Sequence, residues 1–284
     1  MTIIKFGNII LFAEKGECVV KTRNNIVASA EKRKARGIRI LYIVLVGLVV
    51  LTLVRSAVRH EYNHVFFCVL TLILFTLPSL VERKLNIQFP NVFEGIVLIF
   101  IYAAEILGEI NCYYLKIPHW DTMLHTVNGF MFAAFGFALL DIINQNGRIK
   151  YKLSPFYLAL MAFCFSMTIG VFWEFFEYYG DLFLGTDMQK DTYINTVNTV
   201  ILDPSNSNTV VSLPDISEVI IRYEDGKEIV LDSYIDVGLS DTIKDLVVNF
   251  IGAFLFSVIG FFYVKQRGNG KIAKQFIPTL KDKK

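Results

Sequence analysis

Six stretches of this chain are each long and apolar enough to be read as membrane spans: 38–54, 64–81, 91–113, 120–142, 155–180 and 241–264. A bilayer core takes about 20 largely apolar residues per helix, and inside lipid every backbone N–H and C=O must be satisfied within the segment itself. The expectation is an all-α polytopic membrane protein, a bundle of about six transmembrane helices. A composition of 54% hydrophobic and 19% charged residues excludes an ordinary soluble domain. The first 37 residues are too long and too charged for the n-region of a signal peptide, and no small-residue cleavage site follows the first apolar run. That run is therefore expected to stay as a helix. Four cysteines are scattered without a C-x-x-C pair, which suggests neither a disulfide framework nor a zinc ribbon.

Orientation follows from the Lys and Arg bias of the flanks. Lys32, Arg33, Lys34, Arg36 and Arg39 precede the first span, and Lys265, Arg267, Lys271 and Lys274 follow the last. Both termini are expected to be cytoplasmic, with Glu82-Arg83-Lys84 and the loop carrying Arg148, Lys150 and Lys152 on the same side. Arg55 and Arg59, in the first outer loop, run against this bias. The domain plan is a cytoplasmic segment 1–37, a transmembrane domain 38–267, and a basic cytoplasmic tail 268–284 expected to fray at the membrane surface. The membrane implied is a bacterial cytoplasmic (inner) membrane. Between spans five and six, an extracytoplasmic insertion at 188–238 carries a β-hairpin signal. Val219-Ile220-Ile221-Arg222-Tyr223 and Ile229-Val230-Leu231 flank Asp225-Gly226. Basic juxtamembrane residues serve topology, so no nucleic-acid partner is expected. The bilayer is the expected partner, and oligomeric state is not legible.

The last four spans carry acids within apolar sequence, where a central charge costs about 2.5–3.5 kcal/mol on the insertion scale unless it is paired or neutralised. Their spacing is helical. Asp121, His125 and Asn128 project from one face of span four; Glu174, Glu177 and Asp181 do so on span five; Asp241, Asp245 and Asn249 on span six; Glu105 and Glu109 lie on span three. Spans three and five run outward and end in their acids, whereas spans four and six run inward and begin with theirs. The acidic ends are therefore expected to meet at the outer leaflet, with His125 and Glu174 about 8–9 Å from the outer boundary at about 1.5 Å rise per residue.

Clustered carboxylates in a low dielectric call for a compensating cation. One histidine among many oxygen donors suits magnesium or manganese, or else zinc or iron. The expected ligands are Asp121, His125, Glu174, Asp181, Asp241 and Asp245, with Glu174, Glu177 and His125 as catalytic groups and Glu105, Glu109, Asn128 and Asn249 in support. A metal held there would activate water or polarise a phosphoryl oxygen for hydrolysis or transfer on a lipid or envelope-precursor substrate, with a remaining Glu as general base. Two other readings stay open. The acids of a transporter would relay protons or ions, although the inner halves of spans four to six are almost wholly apolar. In a non-catalytic envelope protein they would bind helices together. Trp120 and Trp173 are read as belt or packing aromatics, and Gly129, Gly136 and Gly252 as points of close helix approach.

At these residues the chain resembles the YjdF-like family of uncharacterised bacterial inner-membrane proteins: Trp120-Asp121-x-x-x-His125, Trp173-Glu174-x-x-Glu177-x-x-x-Asp181, and Asp241-Thr242-x-x-Asp245-Leu246-x-x-Asn249-x-x-Gly252. More distantly, the order D-x-x-x-H, a Glu-bearing helix, then D-x-x-x-N-x-x-G is similar to the VanZ-like proteins linked to glycopeptide resistance. The likeness covers roughly 91–260 without the insertion, and implies fold and location rather than a reaction.

Overall fold

The computed structural model describes residues 36–145, 153–266 and 270–281. The basic clusters at 32–34 and 148–152, and Arg267, lie outside them. The chain divides into two units, residues 1–118 with 270–284, and residues 119–269.

In the first unit, α1 (Arg36–Val58) is followed by a second apolar run, Tyr62–Leu85. This run is built from α2 (Tyr62–Leu74) and α3 (Leu77–Leu85), with Pro78 near the start of α3. Proline lacks the N–H that would continue the ladder, so the helix restarts there rather than running through. Asn86 closes α3 in a left-handed conformation, φ 53°. After the two-residue strand β1 (Ile87–Gln88), α4 (Asn91–Tyr102) passes directly into a π-helical segment, Ala103–Ile110, and then the single turn α5 (Tyr113–Lys116). The core joins Leu45 and Val49 of α1, Cys68 and Phe75 from the second run, and Leu98, Ile101, Ile106 and Ile110 from the third.

Among the described residues, five helices are long and apolar enough to cross a membrane. The third apolar stretch is the continuous α4 and π segment, a change of hydrogen-bond register that apolar length alone does not reveal. One expectation is corrected here. The tail does not fray over 270–281. It forms a 3₁₀ turn at Ala273–Gln275 and strand β8 (Thr279–Leu280), which pairs antiparallel with β1. Ala273 and Ile277 are buried, and Lys281 Nζ lies 3.4 Å from Glu82 Oε2.

The second unit is built on three mutually packed helices, α6 (Trp120–Gln145), α7 (Pro155–Leu184) and α8 (Leu239–Lys265). Ser154 caps α7, its Oγ accepting from Tyr157 N at 3.2 Å, with Pro155 at the first helical position. Gly185 ends that helix at φ 66° and Gly238 precedes α8 at φ 79°, a region where glycine carries no steric cost. Helices of 26, 30 and 27 residues exceed the hydrocarbon core of about 30 Å. Their outward faces carry large apolar side chains, among them Phe172, Phe176 and Phe254, as lipid contact requires.

Helices α6 and α8 approach each other most closely through glycine, as the sequence led one to expect. A Cβ on Gly252 would collide with the Thr126 carbonyl oxygen, and one on Gly129 with that of Asn249. Ser166 of α7 adds a buried bond, its Oγ donating to Gly129 O at 2.7 Å. Beyond this contact, toward the C-terminal ends of α6 and α8, the packing is aromatic: Phe137 and Phe256 are fully buried, with ring centroids 6.0 Å apart.

Between α7 and α8 the insertion forms three two-stranded antiparallel ladders. Strand β2 (Tyr193–Ile194) pairs with β7 (Tyr234–Ile235), β3 (Val197–Thr199) with β4 (Val211–Leu213), and β5 (Val219–Arg222) with β6 (Glu228–Leu231). The last pair is the expected hairpin. Its loop closes with Gly226 N donating to Tyr223 O at 3.0 Å and Gly226 at φ 83°, a turn ending in a left-handed glycine.

The loop after β3 is organised by Asp203, whose carboxylate accepts from Ser205 Oγ (2.6 Å) and from the amides of Ser205 (2.9 Å), Ser207 (2.9 Å) and Thr209 (3.0 Å). Led by the Ser205 hydroxyl, these donors hold Asp203 well below the usual carboxylate range. A depressed folded pKa contributes stability above the unfolded value, and that stability is lost as pH falls through the folded one. Amide-exchange protection at Ser205, Ser207 and Thr209 is therefore expected to persist through mildly acidic pH in the wild type. It should be lost at neutral pH in Asp203→Ala.

Candidate metal centre

Helical spacing brings the site together from three helices at one end of the second unit, where α6 and α8 begin and α7 ends. Asp121 and His125 lie one turn apart on α6, Glu174 and Glu177 on α7, and Asp245 and Asn249 on α8. His125, Glu174, Glu177, Asp245 and Asn249 are all buried, with Glu174 4% and Asn249 1% exposed. The Asp121 side chain is 34% exposed. His125 is the hub: Nε2 lies 3.5 Å from Asp121 Oδ1 and 3.9 Å from Asp245 Oδ2, and Nδ1 lies 3.8 Å from Glu174 Oε1.

Two sets of three donors result, Asp121/His125/Asp245 and His125/Glu174/Glu177, each with its ligand atoms within 4.8 Å of one another. Neighbouring ligands around a metal with bonds of about 2.1 Å sit roughly 3–3.4 Å apart, so modest side-chain rotation would close either set on an ion. Among the described residues, no Lys or Arg lies within ion-pair distance of Asp121, Glu174, Glu177 or Asp245, and the His125 imidazole is the one basic group beside them. A buried carboxylate without compensation costs several kcal/mol, roughly. Two buried oxygens also lack a hydrogen-bond partner, Glu174 Oε2 and Asn249 Oδ1. The Asn249 amide Nδ2 lies 3.5 Å from Met167 Sδ.

Other expected members take different positions. Asp181 turns both oxygens to the segment beyond α7: the Thr186 hydroxyl (2.8 Å) and Met188 N (2.6 Å) donate to Oδ1, and Gln189 N (2.8 Å) to Oδ2. Asp241 Oδ2 accepts from Lys190 N at 2.8 Å. Both lie outside the two donor sets and instead pin residues 186–190, a strap joining α7 to the insertion. Asn128, one turn beyond His125 on α6, is half-buried. Glu105 and Glu109 lie on the π segment of the other unit.

Helical periodicity does not by itself mark three further side chains. Trp173 donates its indole N–H to Glu177 Oε1 at 2.8 Å, and the i, i+4 spacing of the two residues is the sequence signal for that bond. Gln189 Nε2 donates to Thr242 Oγ1 at 2.5 Å. Nothing in the local sequence marks a pairing across 53 residues. Removing the Asp181 anchor in Asp181→Ala should raise proteolysis and amide exchange at 186–190.

Apolar membrane-length helices with a buried carboxylate–imidazole cluster at one end of a three-helix unit define a polytopic membrane protein. Residues 40–266 match the model of a family described as predicted membrane protein (DUF2238), and the chain belongs to that family. It is the family to which the YjdF-like motifs point. No curated protein and no solved structure matches the chain.

Proposed function

We infer that the cluster around His125 binds a divalent cation and serves a metal-dependent hydrolase or transferase acting on a lipid or envelope-precursor substrate. The observation that carries this reading is the convergence of four carboxylates on one imidazole, three of them buried, with Glu174 Oε2 lacking any donor. His125, Glu174 and Glu177, or His125, Asp121 and Asp245, would hold the ion. Magnesium, manganese or zinc suits these oxygen-rich donors. Bound there, it would supply Lewis-acid polarisation of a phosphoryl or carbonyl oxygen. Of the chain's own groups, a carboxylate left free of the ion is placed to take a proton from water or an acceptor hydroxyl. The lipid-facing aromatics of α7 beside the site suit a substrate that resides in the membrane.

The flanking charge bias supports a site at the outer face of a bacterial inner membrane, with cytoplasmic termini. The distant likeness to VanZ-like proteins agrees with an envelope role. An ion or proton carrier would need a route inward, and the fully buried Phe137 and Phe256 fill the α6–α8 interface beyond Asn249.

Purified protein incubated with bacterial envelope lipids and Mn²⁺ or Mg²⁺ is expected to generate new lipid products by mass spectrometry. Formation should stop with EDTA and in Glu177→Gln. Proton flux in liposomes with no lipid turnover would replace this reading with the carrier.

A further inference from the structure

The two nitrogens of His125 face different partners, and an ion cannot bond both edges of one imidazole at once. Nδ1 faces Glu174 Oε1 at 3.8 Å, whereas Nε2 faces Asp121 Oδ1 at 3.5 Å and Asp245 Oδ2 at 3.9 Å. A neutral imidazole offers one lone pair and one N–H. A metal-ligating histidine generally gives its other N–H to a carboxylate, which fixes ring orientation and raises ligand basicity.

Resting on the metal reading above, we propose that the cation sits on the Nδ1 edge, held by His125, Glu174 and Glu177, while Asp121 and Asp245 are positioning residues that receive the Nε2–H. Three observations choose this edge. All three residues of the Nδ1 set are buried, whereas Asp121, the carboxylate nearest Nε2, is one-third exposed and suited to accepting an N–H. The unpartnered Oε2 is the second oxygen of the Glu174 carboxylate whose Oε1 faces Nδ1, on a side chain 5% exposed. Glu177 carries its own outer hydrogen bond, from Trp173 Nε1 to Oε1 at 2.8 Å. That is the arrangement by which outer groups orient a ligating carboxylate. The cation thus lies between α6 and α7, and α8 contributes orientation rather than a bond.

Mn²⁺ is the probe. Anomalous diffraction from Mn²⁺-soaked wild-type crystals should place one peak nearer Nδ1 than Nε2, within bonding distance of Glu174 and Glu177. In titration calorimetry, Asp121→Asn should keep one Mn²⁺ per chain with about 10- to 100-fold weaker affinity, and Glu177→Gln should lose measurable binding. A peak between Asp121 and Asp245, a second peak, or Mn²⁺ retained by Glu177→Gln but lost from Asp121→Asn would overturn the assignment and leave the metal reading standing. Wild-type protein that binds no Mn²⁺ would remove both. The crystallographic measurement needs no variant, so the assignment stays testable even if a substituted protein fails to fold.

Discussion

Gly252→Ala is expected to lower the thermal stability of the protein, and Gly252→Leu to prevent its folded accumulation. The added Cβ would collide with the Thr126 carbonyl oxygen and lie 2.9 Å from Phe130 N. Both are backbone atoms of α6, so relief requires moving a helix rather than rotating a side chain. Overpacking of this kind costs about 1–3 kcal/mol, occasionally more. Separating α6 from α8 would also pull Asp245 from His125, so divalent-metal affinity should fall with stability. Gly47→Ala, on α1 where nothing lies within 4 Å of the added carbon, is the control: alanine's better helix propensity makes it neutral or slightly stabilising. Thermal unfolding in detergent or nanodiscs measures the two alanine variants, and the yield of folded protein measures Gly252→Leu. Wild-type melting of Gly252→Ala would show that the helices do not meet at this glycine.

The second large effect concerns ligand-linked stability. A cation that binds the folded site and not the unfolded chain stabilises by about 2.7 kcal/mol at a hundred times its Kd. Mn²⁺ is therefore expected to raise the melting temperature of the wild type and to leave His125→Ala and Glu174→Gln unmoved. Glu174→Gln keeps the shape of the side chain and removes its charge. In the absence of metal it should melt at or above the wild-type temperature, because a buried carboxylate with one unpartnered oxygen is costly. A variant that melts lower without metal and still responds to Mn²⁺ would assign Glu174 to helix packing instead.

Much of the fold is legible because lipid leaves so few options: apolar length finds α1, α6, α7 and α8 almost to their ends. It does not find the π segment at Ala103–Ile110, since hydropathy carries no information on which carbonyl each N–H reaches. Nor does it find β8, where a polar, basic composition conceals the buried Ala273 and Ile277. Within the site, helical periodicity correctly groups Asp121 with His125, and Glu174 with Glu177. The same periodicity adds Asp181 and Asp241 on equal terms. What separates them is a non-local fact: the strap at 186–190 returns across the helix ends and presents backbone N–H groups to those two carboxylates. Glu105 and Glu109 lie on the π segment of the other unit. Trp173 shows how an aromatic read for its packing can also carry a hydrogen bond, here to Glu177.

The central claim is that the His125 cluster is a metal centre. Elemental analysis of protein purified in detergent without chelator, then equilibrated with Mn²⁺ and desalted, tests it most directly. One divalent ion per wild-type chain and none in folded His125→Ala is the predicted result; wild-type protein free of metal after that equilibration would contradict the account.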